Sequence, residues 1–399
     1  MVQITWGNII YKGGFSLMRY RKLGRTGVDV GIVGLGAEYL ENASTNTITS
    51  VIDEAIDNGV NYIDLFMASP NVRDNFGIAL RNRRQKVMVA GHLGVALKNG
   101  QYYKTRDNTL ANKYFDDLLI RLKTNYIDVL MIHFVDEPDD YETVFSSEGL
   151  FKLAIKLKRE GKARFIGMSS HKVPVALKVV KTGTIDVLMF AMNPAFDTLP
   201  ADVDMDAVWQ DSTSKEKVIA GDKSKPQRKE LYQACAVQGV GIVAMKPYAA
   251  GRLFIKENPS SIVLTPVQCI NYVLSQPGVC TVVPGCKNAE EMKAAVAFLN
   301  ATDEEKDYIA IANNQVWKLR GNCMYCNHCL PCPVGIDIGT STRLTDIATY
   351  GMTNSIISEY KALSLKASSC TSCGVCMEKC PFGVDVVENM ARAVTMFGE

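Results

Sequence analysis

Between residue 18 and about residue 300 the sequence alternates eight short apolar runs with longer amphipathic stretches, and this alternation restricts the fold more than any other feature. The runs are GIVGLG, NYIDLF, KVMVAGH, YIDVLMIH, ARFIGMSS, TIDVLMFAMN, GIVAMKP and CTVVPG. Between them lie TITSVIDEAIDNG, DNTLANKYFDDLLIRLK and EGLFKLAIKLKREGK, whose apolar residues recur at three and four and which often stop at Gly or Asn, as helices do. Strands that are apolar almost throughout belong to a parallel sheet covered on both faces. Eight such units without a long excursion at a sheet edge predict a closed (β/α)8 barrel, an α/β TIM barrel over residues 18–300, rather than a doubly wound sheet. The ID-V/L-L element at Tyr62, Tyr126 and Thr184 reads as a strand-entry pattern, not a repeat. Residues 1–17 lack periodicity and read as an N-terminal extension. The polar block WQDSTSKEKVIAGDKSKPQRKE after the sixth strand reads as an insertion over the barrel mouth, ending in a helix that carries Leu231 and Cys235.

Charge narrows the partners. Lys and Arg total 44 against 42 Asp and Glu, with no long run of one sign, so neither nucleic acid nor an anionic membrane is expected and a small-molecule substrate is. The longest apolar runs are far shorter than a membrane span, and the N-terminus lacks the pattern of a secretory signal, which predicts a soluble, cytoplasmic protein. In that reducing setting clustered cysteines are metal ligands before they are disulfides.

Eight of the 12 cysteines fall after residue 320, in two runs. Cys323, Cys326, Cys329 and Cys332 are spaced C-x2-C-x2-C-x2-C-P; Cys370, Cys373, Cys376 and Cys380 are spaced C-x2-C-x2-C-x3-C-P. The second is the spacing of bacterial ferredoxins, and the first lacks one residue of it. A zinc ribbon needs two cysteine pairs per ion and does not account for a closing Cys-Pro in each run. Two 4Fe-4S clusters are therefore expected in a small α-helical, ferredoxin-like domain over residues 301–399, in a protein handled anaerobically. In such ferredoxins the fourth cysteine crosses to the other cluster, which would group Cys323, Cys326 and Cys329 with Cys380, and Cys370, Cys373 and Cys376 with Cys332. Cys235, Cys269, Cys280 and Cys286 are isolated and expected to be structural.

In such a barrel, chemistry gathers at the C-terminal strand ends. There the sequence places Asp64, His92, His133, Ser169, Ser170, His171, Asn193, Lys246 and Gly285. His171 is expected to do no more than cap its strand. Asp64, His92 and His133, on adjacent strands of one mouth, are expected to be catalytic.

With RKLGRTGVDVGIVGLG, NYIDLF, YIDVLMIHF, RFIGMSSH and VVPGCKNAEEM in order, residues 19–300 resemble the aldo/keto reductase family, and the appended cysteine runs resemble a subset of it. The resemblance implies an active site of Asp, Tyr, Lys and His in which the tyrosine protonates a carbonyl that receives hydride. Asp64 and His133 match two of these positions. His92 stands where the lysine would be, and Ser69 where the tyrosine would be. Serine is too weak an acid for the task, so proton donation is expected to pass to His92 or His133, with Tyr102 or Tyr103 of the GQYYKTR loop able to swing in. The resemblance also implies that Ser169 or Ser170 and Asn193 would hold a nicotinamide amide. Lys246, Gly285, Lys287 and Asn288 would meet its phosphates, and Glu290 and Glu291 would repel a 2′-phosphate. NAD(P) is thus left open as a cofactor. The function expected is an iron–sulfur oxidoreductase acting on a small carbonyl-like substrate, its electrons exchanged through the clusters with a ferredoxin-like partner. The alternatives are a non-catalytic barrel in an electron-transfer or ligand-sensing protein, and an ordinary NAD(P)-dependent carbonyl reductase.

Overall fold

The computed structural model describes residues 18–99, 101–197, 228–255, 263–311, 321, 323–325, 327 and 329–399. The extension at residues 1–17, most of the polar insertion and Cys326 lie outside these residues.

Eight parallel strands form the barrel: β1 (Leu35–Gly36), β2 (Tyr62–Leu65), β3 (Met88–Leu93), β4 (Ile127–Ile132), β5 (Ala163–Ser170), β6 (Val187–Ala191), β7 (Gly241–Met245) and β8 (Val279–Val283). Closure is made by the segment entering β1, where Gly34 N–H donates to Val282 O at 2.8 Å and Gly36 N–H to Pro284 O at 2.9 Å. Residues two apart on a strand share a face, so Met88 and Ala90, Val129 and Met131, and Val187 and Met189 fill the barrel interior with Tyr62, Val243 and Cys280. Their neighbours on the same strands face the helices. Burial on both sides is why these runs are apolar at nearly every position.

The helices that follow the strands are α1 (Thr45–Asp57), α2 (Pro70–Ala79), α3 (Asn108–Arg121), α4 (Leu150–Arg159), α5 (Val173–Thr182), α6 (Arg228–Gln238), α7 (Pro266–Ser275) and α8 (Ala289–Val296). In α3, Ala111, Phe115, Leu118 and Leu119 are buried, one stripe at intervals of four, three and one. Asp107 caps that helix by accepting the Leu110 N–H, and Thr265 with Gln268 forms a capping box on α7. Helix α6 carries the buried Leu231 and Cys235 where the sequence placed them. Among the described residues no helix is long and apolar enough to cross a membrane.

One departure from a plain barrel shapes the mouth. Between β3 and α3 the chain forms an antiparallel hairpin, Val95–Lys98 paired with Gln101–Lys104, where the sequence reading had a loop. A salt-bridged corner holds its base: Lys104 Nζ and Arg106 Nε sit 2.9 and 2.6 Å from the two oxygens of Asp140.

Past residue 320 the cysteine-rich segments join helices Ile338–Ala348, Asn354–Lys361, Val375–Lys379 and Val386–Phe397. This region is seated on α6. Asp346, itself buried, takes Lys229 Nζ at 2.6 Å and the Tyr325 hydroxyl at 2.8 Å, while Gln233 donates to its carbonyl at 3.0 Å. A second tie runs from the Tyr308 hydroxyl to Met324 O, 3.0 Å away, next to Cys323.

Candidate functional site

Asp64, His92 and His133 come from the ends of β2, β3 and β4, which pair in that order. Their side chains form a line. His92 Nε2 lies 2.9 Å from Asp64 Oδ1, and His92 Nδ1 lies 2.8 Å from His133 Nδ1. The hairpin then adds a fourth member, with the Tyr102 hydroxyl 2.7 Å from His133 Nε2. Asp64, His92 and His133 are 7 %, 4 % and 6 % exposed, whereas Tyr102 is 49 % exposed, so the line leads from the buried rim to the open mouth. Phe66 stacks on His133 with ring centroids 5.6 Å apart and packs edge-on against His92 and Tyr102. Ser69, where a tyrosine was sought, is the N-cap residue of α2.

The ring nitrogens permit few arrangements. Burial, with His92, Arg106, His171 and Lys104 nearby, pushes the His133 imidazolium well below its ordinary 6.5, so His133 is neutral. Burial also raises the Tyr102 phenol above 10.0, keeping it protonated. Tyr102 then donates to His133 Nε2, His133 Nδ1–H to His92 Nδ1, and His92 Nε2–H to Asp64. With both ring nitrogens of His92 protonated, the two bonds toward the mouth run the other way: His92 donates to His133, and His133 donates to the Tyr102 oxygen.

The depressed His133 value carries a stability consequence. Folded His133 resists the proton that the unfolded chain accepts, so its contribution is fully present above pH 6.5 and lost as pH falls below it. Each pH unit of resistance costs up to about 1.4 kcal/mol. Thermal midpoints are expected to decline from pH 7 to pH 5, less steeply in His133→Gln; equal slopes would refute the assignment.

The other residues named at the mouth are bonded within the chain. Ser169 Oγ accepts the Phe134 N–H at 2.8 Å and steadies Phe134 at φ 52°. Ser170 Oγ donates to Asp136 Oδ1 at 2.9 Å. Asn193 donates to Lys246 O and accepts from Phe196 N–H, both at 3.0 Å. His171, expected to cap its strand, pairs with Asp136 through Nδ1 at 3.0 Å and its own N–H at 2.7 Å. Burial opposes ionisation of Asp136, but these His171 and Ser170 contacts hold its carboxyl below 3.8. Lys246 is exposed, at φ 57°. At the end of β8, Asn288 caps α8 by accepting the Glu291 N–H at 2.9 Å, and the Glu291 carboxylate takes the Lys287 N–H at 2.8 Å. Tyr39 lies directly on Gly285: a Cβ there would stand 2.5 Å from its ring. Ser169, Ser170, Asn193 and the Lys287 amide are already bonded within the chain and Tyr39 covers Gly285, so as arranged these residues fit a nicotinamide dinucleotide poorly. Glu290 is exposed beside them.

The cysteines make a different picture. Cys332 of the first run and Cys370, Cys373 and Cys376 of the second line one cavity, closed by Val334, Ile336, Ile338 and Met390. Tyr325, Asn327, Ser372 and Gly374 have φ of 54°, 63°, 55° and 78°. Left-handed residues interleaved with the ligands turn backbone N–H groups into a concave nest, as anionic iron–sulfur sites require. Ser372 N–H and Val384 N–H already donate to the sulfurs of Cys370 and Cys380, at 3.4 and 3.5 Å. Four thiols around an apolar cavity, with an amide donating to one sulfur, are a donor set that a 4Fe-4S cluster takes, and among the described residues no three His, Cys, Asp or Glu side chains converge closely enough to hold a single metal ion instead. Cys323, Cys329 and Cys380 are half-buried. Cys235, Cys269, Cys280 and Cys286 are buried among apolar side chains, and burial raises the thiol of each.

Residues 30–266, more than half of the chain, match the aldo/keto reductase family, and residues 322–385 match a 4Fe-4S dicluster domain. The chain belongs to the aldo/keto reductase family. It is similar to the "Uncharacterized oxidoreductase YqkF" of Bacillus subtilis, 28 % identical over 72 % of this chain and 94 % of that protein. It is also similar to an L-galactose dehydrogenase of Arabidopsis thaliana, 30 % identical over 42 % of this chain and 54 % of that one. The aldo-keto reductase AKR11C1 of Bacillus halodurans, in its holo form, shares the fold, with a TM-score of 0.55 and 21 % identity over 72 % of this chain and 94 % of that one. Within this aldo/keto reductase the reading from sequence missed three contacts: Phe66 on His133, Asp136 on His171, and the folded-over hairpin that docks Tyr102. The last had a signal, since Asn99-Gly100 between VALK and QYYK is a hairpin turn sequence, and Asn99 adopts φ 52°.

Proposed function

We propose that this protein is an iron–sulfur oxidoreductase that reduces a small carbonyl-like substrate at the barrel mouth, with Tyr102 as the immediate proton donor. The observation that carries the reading is the unbroken line of hydrogen bonds from Asp64 through His92 and His133 to Tyr102. A phenol alone is a poor acid near neutrality. In the protonated line, however, Tyr102 passes its hydroxyl proton to the substrate oxygen as it receives the proton from His133 Nε2. His133 Nδ1 is in turn refilled from His92 Nδ1. The phenolate never forms, one proton leaves the line, and His92 ends neutral with Nε2–H still directed at Asp64. Phe66 and Phe134 flank His133 and keep water from this transfer. Two 4Fe-4S clusters, held by Cys323, Cys326, Cys329 and Cys380 and by Cys332, Cys370, Cys373 and Cys376, would supply two electrons, one at a time, from a ferredoxin-like donor; the line gives one proton to the carbonyl oxygen, and a second proton, from solvent at the open mouth, completes the C–H bond.

The test uses anaerobic, iron-replete protein, a reduced viologen dye as donor and a panel of aldehydes and ketones. Dye oxidation coupled to alcohol formation is expected with at least one of them, and about a hundredfold slower in Tyr102→Phe. Full turnover in Tyr102→Phe would remove tyrosine from the role. Failure of every carbonyl to oxidise the dye would favour a barrel that only binds its ligand.

A further inference from the structure

We infer that this barrel does not take a dissociable nicotinamide dinucleotide, because the chain's own groups occupy both ends of the groove where its relatives in fold would place one. At one end the amide-binding candidates are buried and already bonded within the chain. Ser169, Ser170 and Asn193 are 3 %, 0 % and 0 % exposed, and their hydroxyls and amide bond to Phe134 N–H, Asp136, Lys246 O and Phe196 N–H. A ligand amide would have to displace these bonds and leave buried groups unpaired. The Asn193 contacts also hold the turn after β6 to the turn after β7, so their loss would loosen the mouth itself.

At the other end an internal anion stands in for the phosphate. The Lys287 N–H, the amide that would greet a diphosphate, is held by Glu291 Oε2, and the Glu291 N–H by Asn288 Oδ1. The Tyr39 ring covers the Gly285 backbone, and the Lys287 ammonium lies over that ring, 5.4 Å from its centroid. A diphosphate entering here meets a carboxylate on the amide it needs and an aromatic ring on the glycine it would approach. Glu290 adds a second negative charge. Electrons for chemistry at the mouth therefore arrive from the cluster side rather than as a hydride borne by a soluble dinucleotide.

Calorimetric titration of the anaerobic full-length protein with NADH, NADPH and inorganic pyrophosphate tests it. No saturable binding tighter than about millimolar is expected for any of them. The double variant Tyr39→Ala, Glu291→Ala is expected to bind pyrophosphate at least about tenfold more tightly, since it opens the glycine and frees the amide. Should that variant lose iron or helix content, Glu291→Gln keeps the cap without its charge and is expected to gain severalfold. Micromolar binding of NADH or NADPH by the unaltered protein would overturn the inference, as would no gain in a folded variant. Dinucleotide binding with a Tyr102-dependent carbonyl reduction intact would sink this inference alone. Carbonyl reduction indifferent to Tyr102, without dinucleotide binding, would sink only the proton-line reading.

Discussion

Replacing His92 with glutamine is expected to slow carbonyl turnover by about a hundredfold while leaving both clusters in place, because general acid catalysis contributes at least that much. Glutamine can still bond to Asp64 and His133, so the packing around Phe66 survives. It cannot carry the added proton that reverses the line, so Tyr102 remains turned inward, donating to His133 Nε2 rather than to substrate. The pH profile supplies the decisive readout. The proposed transfer consumes one proton held by the line, so the unaltered enzyme is expected to lose turnover as pH rises. His92→Lys holds a cation beside Asp64 to higher pH and is expected to carry activity further into the alkaline range. Viologen-coupled rates from pH 6 to pH 9 for the three proteins decide the matter. Near-full activity in His92→Gln, or a His92→Lys profile that superposes on that of the unaltered enzyme, would show that His92 only fills space.

The second large effect concerns iron. The anaerobic protein is expected to hold about eight irons, two clusters of four. Cys332 lines one cavity with Cys370, Cys373 and Cys376, and the last cysteine of the first run is expected to serve the cluster of the second. A pair of double variants distinguishes this from self-contained runs. With crossing, Cys332→Ser combined with Cys373→Ser damages one cluster twice, and about four irons remain. Without crossing, the same pair damages both clusters and nearly all iron is lost. Cys332→Ser with Cys329→Ser gives the opposite result, since crossing then places one lesion in each cluster. Iron content and low-temperature electron paramagnetic resonance read both outcomes. A colourless protein holding zinc in proportion to its chains would defeat the iron–sulfur assignment altogether.

How far these expectations were legible from the amino-acid order depends on the range of the interactions behind them. Strand β4 and helix α3 could be read directly, because a buried strand is apolar at every step and Ala111, Phe115 and Leu118 repeat at helical spacing. The cysteine ligands are legible for the same reason: a cluster needs thiols a fixed few residues apart, and Cys370, Cys373 and Cys376 state that spacing in one run. Asp64, His92 and His133 could be named because successive barrel strands end side by side, which turns chain order into proximity. That His92 bridges the other two, that Tyr102 rather than Tyr103 completes the line, and that Cys332 faces the thiols of the second run are matters of tertiary structure. So are Tyr39 on Gly285 and Glu291 on the Lys287 amide. Periodicity and ligand spacing arise from backbone geometry within a few residues and are written locally. Which tyrosine a hairpin presents, and which carboxylate reaches an amide first, depends on how segments distant in the chain compete for one volume and for the same hydrogen bonds.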